Sequence, residues 1–378
     1  MALMDKIQNE LNVLKEQDQF RILRNLQSVP DVLNLSSNDY LGLAAMPELR
    51  EEFYAEVAKN PTADKYALSS SSSRLLTGNH SAYIELEHDL SEMYNGRAAL
   101  VFNSGYHANI GILPALSTKK DLILSDKLNH ASIIDGLRLA DAQFKRYPHL
   151  DYSRLEKLLD KNKDEYENIF IITESVFSMD GDVADLRKLV SLKEKYDAFL
   201  IVDEAHSVGV LGDKGCGLAE EQGVLDKVDM VVGTFGKAFC SAGAYAIMEM
   251  PLKEYLINKM RSLIFTTALP PVCVSWSSFV LRKTAQMKKR REHLKMLGEK
   301  LRNGLREKNL KTDGNSQIVP LILGENSAAV EMSEKLREAG LLVFAIRPPT
   351  VPKGTARLRF SLHGALKESD IDKILELV

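Results

Sequence analysis

Cysteine is scarce in this chain and tryptophan nearly absent: 378 residues hold three Cys and one Trp. Cys216, Cys240 and Cys273 are far apart and odd in number, with no CxxC pair. They offer neither a disulfide framework nor zinc-ligand spacing, and no metal site is expected, so a reducing cytoplasm is the natural setting. No run approaches the roughly 18 apolar residues of a bilayer-spanning helix. The N-terminus mixes charges with apolar residues instead of carrying a signal-peptide core. Neither sign of charge dominates, since 49 basic residues face 52 acidic ones for a net charge of -3. That balance predicts no nucleic-acid surface and no membrane patch. No GxxxxGK[ST] phosphate loop and no GxSxG elbow occurs. Gly215-Cys-Gly217-Leu-Ala-Glu220 starts like a dinucleotide turn but lacks the third glycine and a preceding strand.

What is present is an ordinary globular composition, 45% hydrophobic and 27% charged, long enough for a large domain and a smaller lobe. Leu3, Ile7, Leu11 and Leu14 lie on one stripe, which predicts an amphipathic helix from Met1 to about Leu26, ended by Pro30. Val32–Leu35 reads as a short strand. From about Ala98 to Tyr245, apolar β-branched runs alternate with helical stretches such as Leu186–Tyr196. The strand candidates are Ala99–Phe102, Leu122–Leu124, Ile169–Thr173, Phe199–Val202 and Met230–Gly233. Runs apolar at nearly every position suit strands covered on both faces, and the alternation predicts a mainly parallel α/β sheet. Leu281–Lys308 reads as one charged helix leading out of this domain. A small α+β lobe follows: strand 318–323, helix 328–339, strands 341–346 and 356–361, and helix 368–378. The expected division is 1–45, an N-terminal helix and strand; 46–285, a large α/β domain; and 286–378, a small α+β domain.

Two strand ends carry the chemistry. Phe199-Leu-Ile-Val-Asp203-Glu-Ala-His206 delivers a carboxylate and an imidazole to the carboxyl end of a strand, where open α/β sheets bind ligands. Alone, that acid would equally suit a helix cap or a magnesium ligand. The same four letters, Asp-Glu-Ala-His, occur in helicases, but those need the absent phosphate loop. About thirty residues on, Asp229-Met-Val-Val-Gly-Thr234-Phe-Gly236-Lys237 ends a second apolar strand in a small-residue turn bearing one lysine. Desolvation in such a turn lowers a lysine pKa and frees its amine for imine formation. A Schiff-base lysine paired with an acid for a pyridinium nitrogen is what pyridoxal phosphate requires of a protein. Phe102-Asn-Ser104-Gly105-Tyr106-His107-Ala-Asn109 follows a strand and opens a helix, so its amides suit either a phosphate or a plain helix cap. Asn129-His130 offers an aromatic ring that could lie on a flat pyridine.

These segments occur in one order with Ser36-Ser-Asn38-Asp-Tyr40-Leu-Gly-Leu, Ser73-Arg-Leu-Leu-Thr-Gly78-Asn-His80 and Ser178-Met-Asp-Gly-Asp182. From about Arg21 to the C-terminus the chain resembles the α-oxoamine synthases, pyridoxal-phosphate enzymes of the fold-type I, aminotransferase-like class. The resemblance implies that Lys237 holds the cofactor, Asp203 serves the ring nitrogen, His206 the ring oxygen, and His130 stacks on the ring. It places Gly105, Tyr106 and Thr234 around the phosphate, with Thr266 or Thr267 from a neighbouring subunit. It puts Asn38 and Ser178 in the site wall, Arg359 on the amino-acid carboxylate and Arg21 near the acyl substrate. A homodimer with shared sites follows from the same likeness. Ala345-Ile-Arg347-Pro-Pro-Thr350-Val-Pro352 most resembles members that join L-alanine to a pimeloyl thioester, carried by coenzyme A or a carrier protein, on the way to biotin. Alternatives are a glycine- or serine-using synthase, such as a 2-amino-3-ketobutyrate ligase, and a plain aminotransferase. Two departures stand out. Ser69–Ser73 stands where relatives often have a Gly-rich turn, which predicts a different loop geometry there, and Cys240 stands where many carry glycine, which predicts reduced backbone freedom.

Overall fold

A strand buried on both faces must be apolar at nearly every position, and five such runs form the interior of one sheet in the computed structural model. The structure describes residues 2–17, 19–20, 22–23 and 32–378. After a short strand at Leu33–Asn34 (β1), the sheet strands are Ala98–Phe102 (β2), Leu122–Asp126 (β3), Gln143–Tyr147 (β4), Ile169–Glu174 (β5), Phe199–Asp203 (β6), Met230–Thr234 (β7) and Ala244–Met248 (β8). Their order is β2-β8-β7-β6-β5-β3-β4. All run parallel except β8, which is antiparallel to both neighbours. Alternate side chains serve two cores: Ala99, Val101, Ile171, Leu200, Val202 and Val231 on one face, and Leu100, Phe102, Ile172, Ile201, Met230 and Val232 on the other. Each such buried aliphatic side chain is worth about 2 kcal/mol.

The sequence reading missed β4 and β8. β4 is a sheet edge whose residues Gln-Phe-Lys-Arg-Tyr are mostly exposed, so it lacks the apolar run that marks its neighbours.

Helices between the strands are fixed by local signals. Asp185 caps Leu186–Tyr196 by accepting from the Lys188 amide at 2.9 Å, while Leu186, Leu189, Val190 and Leu192 bury one face. Helices Gly105–Leu116 and Ala131–Leu139 pack closely across Gly136. A Cβ there would lie 2.3 Å from the Asn109 carbonyl oxygen, so only glycine permits this approach. The approach matters because Asn109 reaches the site described below.

The rest of the chain makes a second, smaller sheet from Ile318–Gly324 (β9), Ala345–Ile346 (β11) and Ala356–Ser361 (β12), antiparallel in the order β11-β12-β9. Leu341–Leu342 (β10) leaves this sheet and pairs in parallel with β1. The single strand expected over 341–346 is therefore two pieces with different partners. The charged helix expected over 281–308 is likewise two, Pro271–Ala285 and Lys288–Glu307. Buried Arg291 explains the break, since its guanidinium turns back to cap the first helix at the Thr284 carbonyl, 2.7 Å away. The N-terminal helix spans Leu3–Glu16 and buries none of its residues. The remainder of the helix expected to Leu26 is non-helical where described, and Arg21, Leu26 and Pro30 fall outside the described residues.

Candidate active site

Because β2, β3, β5, β6 and β7 run the same way, their carboxyl ends share one edge of the sheet. That edge gathers the Gly105 helix start, the His130 turn, Glu174, Asp203 and the Thr234–Lys237 turn. Glu174 and Asp203 are register partners at the ends of β5 and β6.

Asp203 is buried, and its carboxylate accepts from Asn109 Nδ2 at 2.8 Å and from the Ala205 amide at 2.9 Å. Lys237 is half-buried, and its amine has no hydrogen-bond or ion-pair partner among the described residues. Burial holds its pKa down to about 8, against the opposing pull of the Asp203 and Glu174 carboxylates. Glu174 itself is pushed well above the usual carboxylate range, first by burial and then by the Asp203 charge.

His206 is buried, with Nδ1 2.6 Å from the Tyr40 hydroxyl. Burial, then the positive charges of Lys237 and Arg359, hold its pKa well below the ordinary histidine value, so the imidazole is neutral. His130 is fixed by its own helix start: its Nδ1 accepts from the Ser132 amide at 3.2 Å and lies 2.7 Å from Ser132 Oγ. His130 is exposed at the sheet edge and lies close enough to Asp203 and Lys237 to feel both charges.

Ser104 caps the Gly105–Leu116 helix by accepting from the His107 amide, so the free amides of its first turn face the sheet edge. Gly105 lies against Thr234, whose Cγ2 would be 3.6 Å from an added Cβ. Thr234 Oγ1 accepts from the Gly236 amide at 3.2 Å. Tyr106 turns its hydroxyl away to Asp135, 2.9 Å distant. Thr266 and Thr267 lie beside Asn103, which donates to the Thr267 carbonyl at 2.7 Å within the same chain.

Arg359 reaches in from β12. Its guanidinium donates to the Ser178 carbonyl, to Ser361 Oγ at 2.8 Å, to Asn38 Oδ1 at 3.2 and 3.3 Å, and to Tyr40 Oη at 3.2 Å. Every acceptor is neutral, and no carboxylate pairs with it among the described residues. An unpaired guanidinium in a polar cage is a site for an anion, and its fork matches a carboxylate.

The structure thus gathers Asp203, His206, Lys237, His130, Asn38, Ser178 and Arg359 into one region, with Gly105 and Thr234 together at its helix end. Arg21 lies outside the described residues. Sequence reasoning missed Tyr40, Asn109 and Glu174. Tyr40 and Asn109 stand in quoted motifs, and Glu174 ends an apolar strand as Asp203 does, which was the available signal.

The residues fit pyridoxal phosphate: an unpartnered amine for its aldehyde, a buried carboxylate for its ring nitrogen, and free helix-start amides beside a threonine for its phosphate. Comparison with known proteins agrees. Residues 30–378 match the family described as aminotransferase class I and II. The chain is 52% identical over 380 residues to an 8-amino-7-oxononanoate synthase of Chlorobaculum parvum, covering 97% of each. It is 48% identical over 378 residues to a putative 8-amino-7-oxononanoate synthase of Pasteurella multocida, again covering 97% of each. Among solved structures, serine palmitoyltransferase of S. paucimobilis, bound to pyridoxal phosphate and myriocin, superposes with a TM-score of 0.89 at 29% identity over 100% of this chain and 97% of that one. An 8-amino-7-oxononanoate synthase of Francisella tularensis gives a TM-score of 0.75 at 31% identity over 92% of this chain and 96% of that one.

Proposed function

The chain belongs to the aminotransferase class I and II family and, within it, to the pyridoxal-phosphate-dependent α-oxoamine synthases, and from that premise we propose that it condenses L-alanine with a pimeloyl thioester. The products are 8-amino-7-oxononanoate, CO2 and the free thiol of coenzyme A or a carrier protein, a step towards biotin. The observation that carries an amino-acid substrate is Arg359, a caged guanidinium without an acid. The choice of alanine and pimeloyl rests on the Ala345–Pro352 run and on the names of the more than 45% identical relatives.

When bound, pyridoxal phosphate supplies an electron sink for negative charge at the amino-acid Cα. Asp203, fixed by Asn109 and the Ala205 amide, keeps the ring nitrogen protonated by placing a negative charge beside it. His206 would hydrogen-bond the ring oxygen, and His130 would cover the ring. The backbone amides of Gly105 and Tyr106, with Thr234, would hold the phosphate, joined by Thr266 or Thr267 of a second copy in a homodimer. Arg359, with Asn38 and Ser178 around it, binds the alanine carboxylate and so orients the Cα–H bond. Lys237 Nζ removes that proton; an amine poised near pH 8 suits a base working near neutrality. Acylation at that carbon would release the thiol, and the alanine carboxylate would then leave as CO2 while a proton returns to the carbon.

The test is a matrix of alanine, glycine and serine against pimeloyl-, acetyl- and palmitoyl-CoA, scored by CO2 and free thiol release. Fastest turnover with alanine and pimeloyl-CoA is expected. Preference for glycine with acetyl-CoA, or conversion of a keto acid without thiol release, would replace this reading with the ligase or the aminotransferase.

A further inference from the structure

Three polar side chains meet at one phenol. Tyr40 is fully buried, and its Oη is 2.6 Å from His206 Nδ1 and 3.0 Å from Asn38 Oδ1. Arg359 Nη2 donates to the same oxygen at 3.2 Å. Gln317 Nε2 donates to the His206 carbonyl at 2.6 Å, which pins the histidine backbone.

A phenol has one proton and two lone pairs. Arg359 donates to one lone pair of the Tyr40 oxygen, and the single phenol proton is left for Asn38 Oδ1 or His206 Nδ1. Asn38 Oδ1 already accepts from Nη1 and Nη2 of Arg359 at 3.2 and 3.3 Å, which fills its two acceptor positions. His206 Nδ1 is the acceptor left over, and it lies at the shortest distance. A neutral imidazole that accepts at Nδ1 carries its proton on Nε2.

We propose that Tyr40 is a positioning residue that fixes His206 as the Nε2–H tautomer, and that Arg359 makes this hold answer to the substrate carboxylate. The first half gives His206 a proton to donate to an anionic ring oxygen. The second half follows from the shared donors. A carboxylate seated on Arg359 draws Nη1 and Nη2 away from Asn38 and Tyr40. Asn38 Oδ1 then competes for the Tyr40 proton, and the grip on His206 loosens only when an amino acid is present. No proton leaves the network, because the change is a rotation of one hydroxyl.

The inference rests on His206 facing the cofactor, as proposed above, and the experiment separates the two. Holoenzyme with 15N-labelled histidine is observed by NMR, with the His206 signals assigned by their loss in His206→Asn. The wild type should show a directly bonded proton on Nε2 and none on Nδ1, and addition of alanine should move both nitrogen signals. Tyr40→Phe should lose the single tautomer, change the ratio of the cofactor's absorption bands, abolish the response to alanine, and lower kcat about tenfold, the weight of one hydrogen bond. A wild-type proton on Nδ1, or a Tyr40→Phe spectrum identical to wild type, overturns the proposal. Cofactor bands unchanged in His206→Asn overturn instead the placement of His206 on the cofactor. Should Tyr40→Phe fail to fold, the wild-type tautomer and its response to alanine decide the matter alone.

Discussion

Arg357 and Arg359 lie two residues apart on β12, on the same face of the strand, yet their surroundings are opposite in kind. Arg357 is buried and paired with the Asp180 carboxylate. Arg359 is held only by neutral acceptors, Ser178, Asn38, Ser361 and Tyr40. A second pair repeats the contrast. His149 sits between Asp126, at 2.9 Å, and Asp182, and those hydrogen bonds overcome burial to raise its pKa to about 10. His206 has no carboxylate partner among the described residues and is held neutral. Both contrasts meet at the Ser178–Asp182 turn. Asp180 and Asp182 staple that turn into the fold, while the Ser178 carbonyl steadies Arg359. Charges neutralised inside the protein make structure; charges caged by neutral groups are left for a ligand.

Substitutions should split along that line. The largest effect belongs to the unpaired side: Lys237→Ala should lose the visible cofactor band and lower kcat by about 10^4-fold, with folding unchanged by circular dichroism. Arg359→Gln should raise KM for the amino acid by about tenfold to a hundredfold, the weight of a charged hydrogen-bond pair, and barely move the melting temperature. Arg357→Gln should do the reverse, costing about 2 kcal/mol in denaturant unfolding, because it strands Asp180 at a largely buried site. Equal effects of the two arginine substitutions on KM would erase the distinction.

The histidine pair makes a pH prediction. His149 has a folded pKa raised from 6.5 to about 10. Its stabilisation is therefore complete below pH 6.5 and is lost as pH climbs through 10. With its side chain 23% exposed, screening leaves about 2 kcal/mol at stake. Calorimetry from pH 6 to pH 10 should show wild type losing its advantage over His149→Asn across that window. A constant difference would deny that the ring is charged.

The smallest effect concerns the two departures from the family pattern. Ser71 and Cys240 both adopt left-handed φ, +49° and +47°. Both positions hold a conformation that glycine adopts far more readily than a residue with a Cβ. Cys240→Gly should therefore raise stability by up to about 1 kcal/mol, read from urea midpoints; a loss would mean that the packing of the Cys240 side chain outweighs the relief.

The large sheet was legible because strands covered on both faces write continuous apolar runs, and β5, β6 and β7 were read to within a residue or two. β4 was not, since an edge strand has no such duty. Asp203 and Lys237 were legible for a similar local reason, the first ending an apolar strand and the second standing in the small-residue turn after one. Tyr40 was quoted within a motif but given no role. Its function depends on His206, 166 residues away, and on Arg359 arriving from another sheet, and no local pattern records either meeting. Asn109 reaches Asp203 only because Gly136 lets two helices touch. The cage around Arg359 is built in the same way, from Asn38, Ser178 and Ser361 on three separate segments.

The account depends on Lys237 being the amine that holds pyridoxal phosphate. Borohydride reduction of the holoenzyme, followed by proteolysis and mass spectrometry, locates that bond directly. The pyridoxyl mass should appear on the peptide containing Lys237 and be absent from Lys237→Ala. Its appearance on any other lysine, or its persistence in that variant, would contradict the central claim.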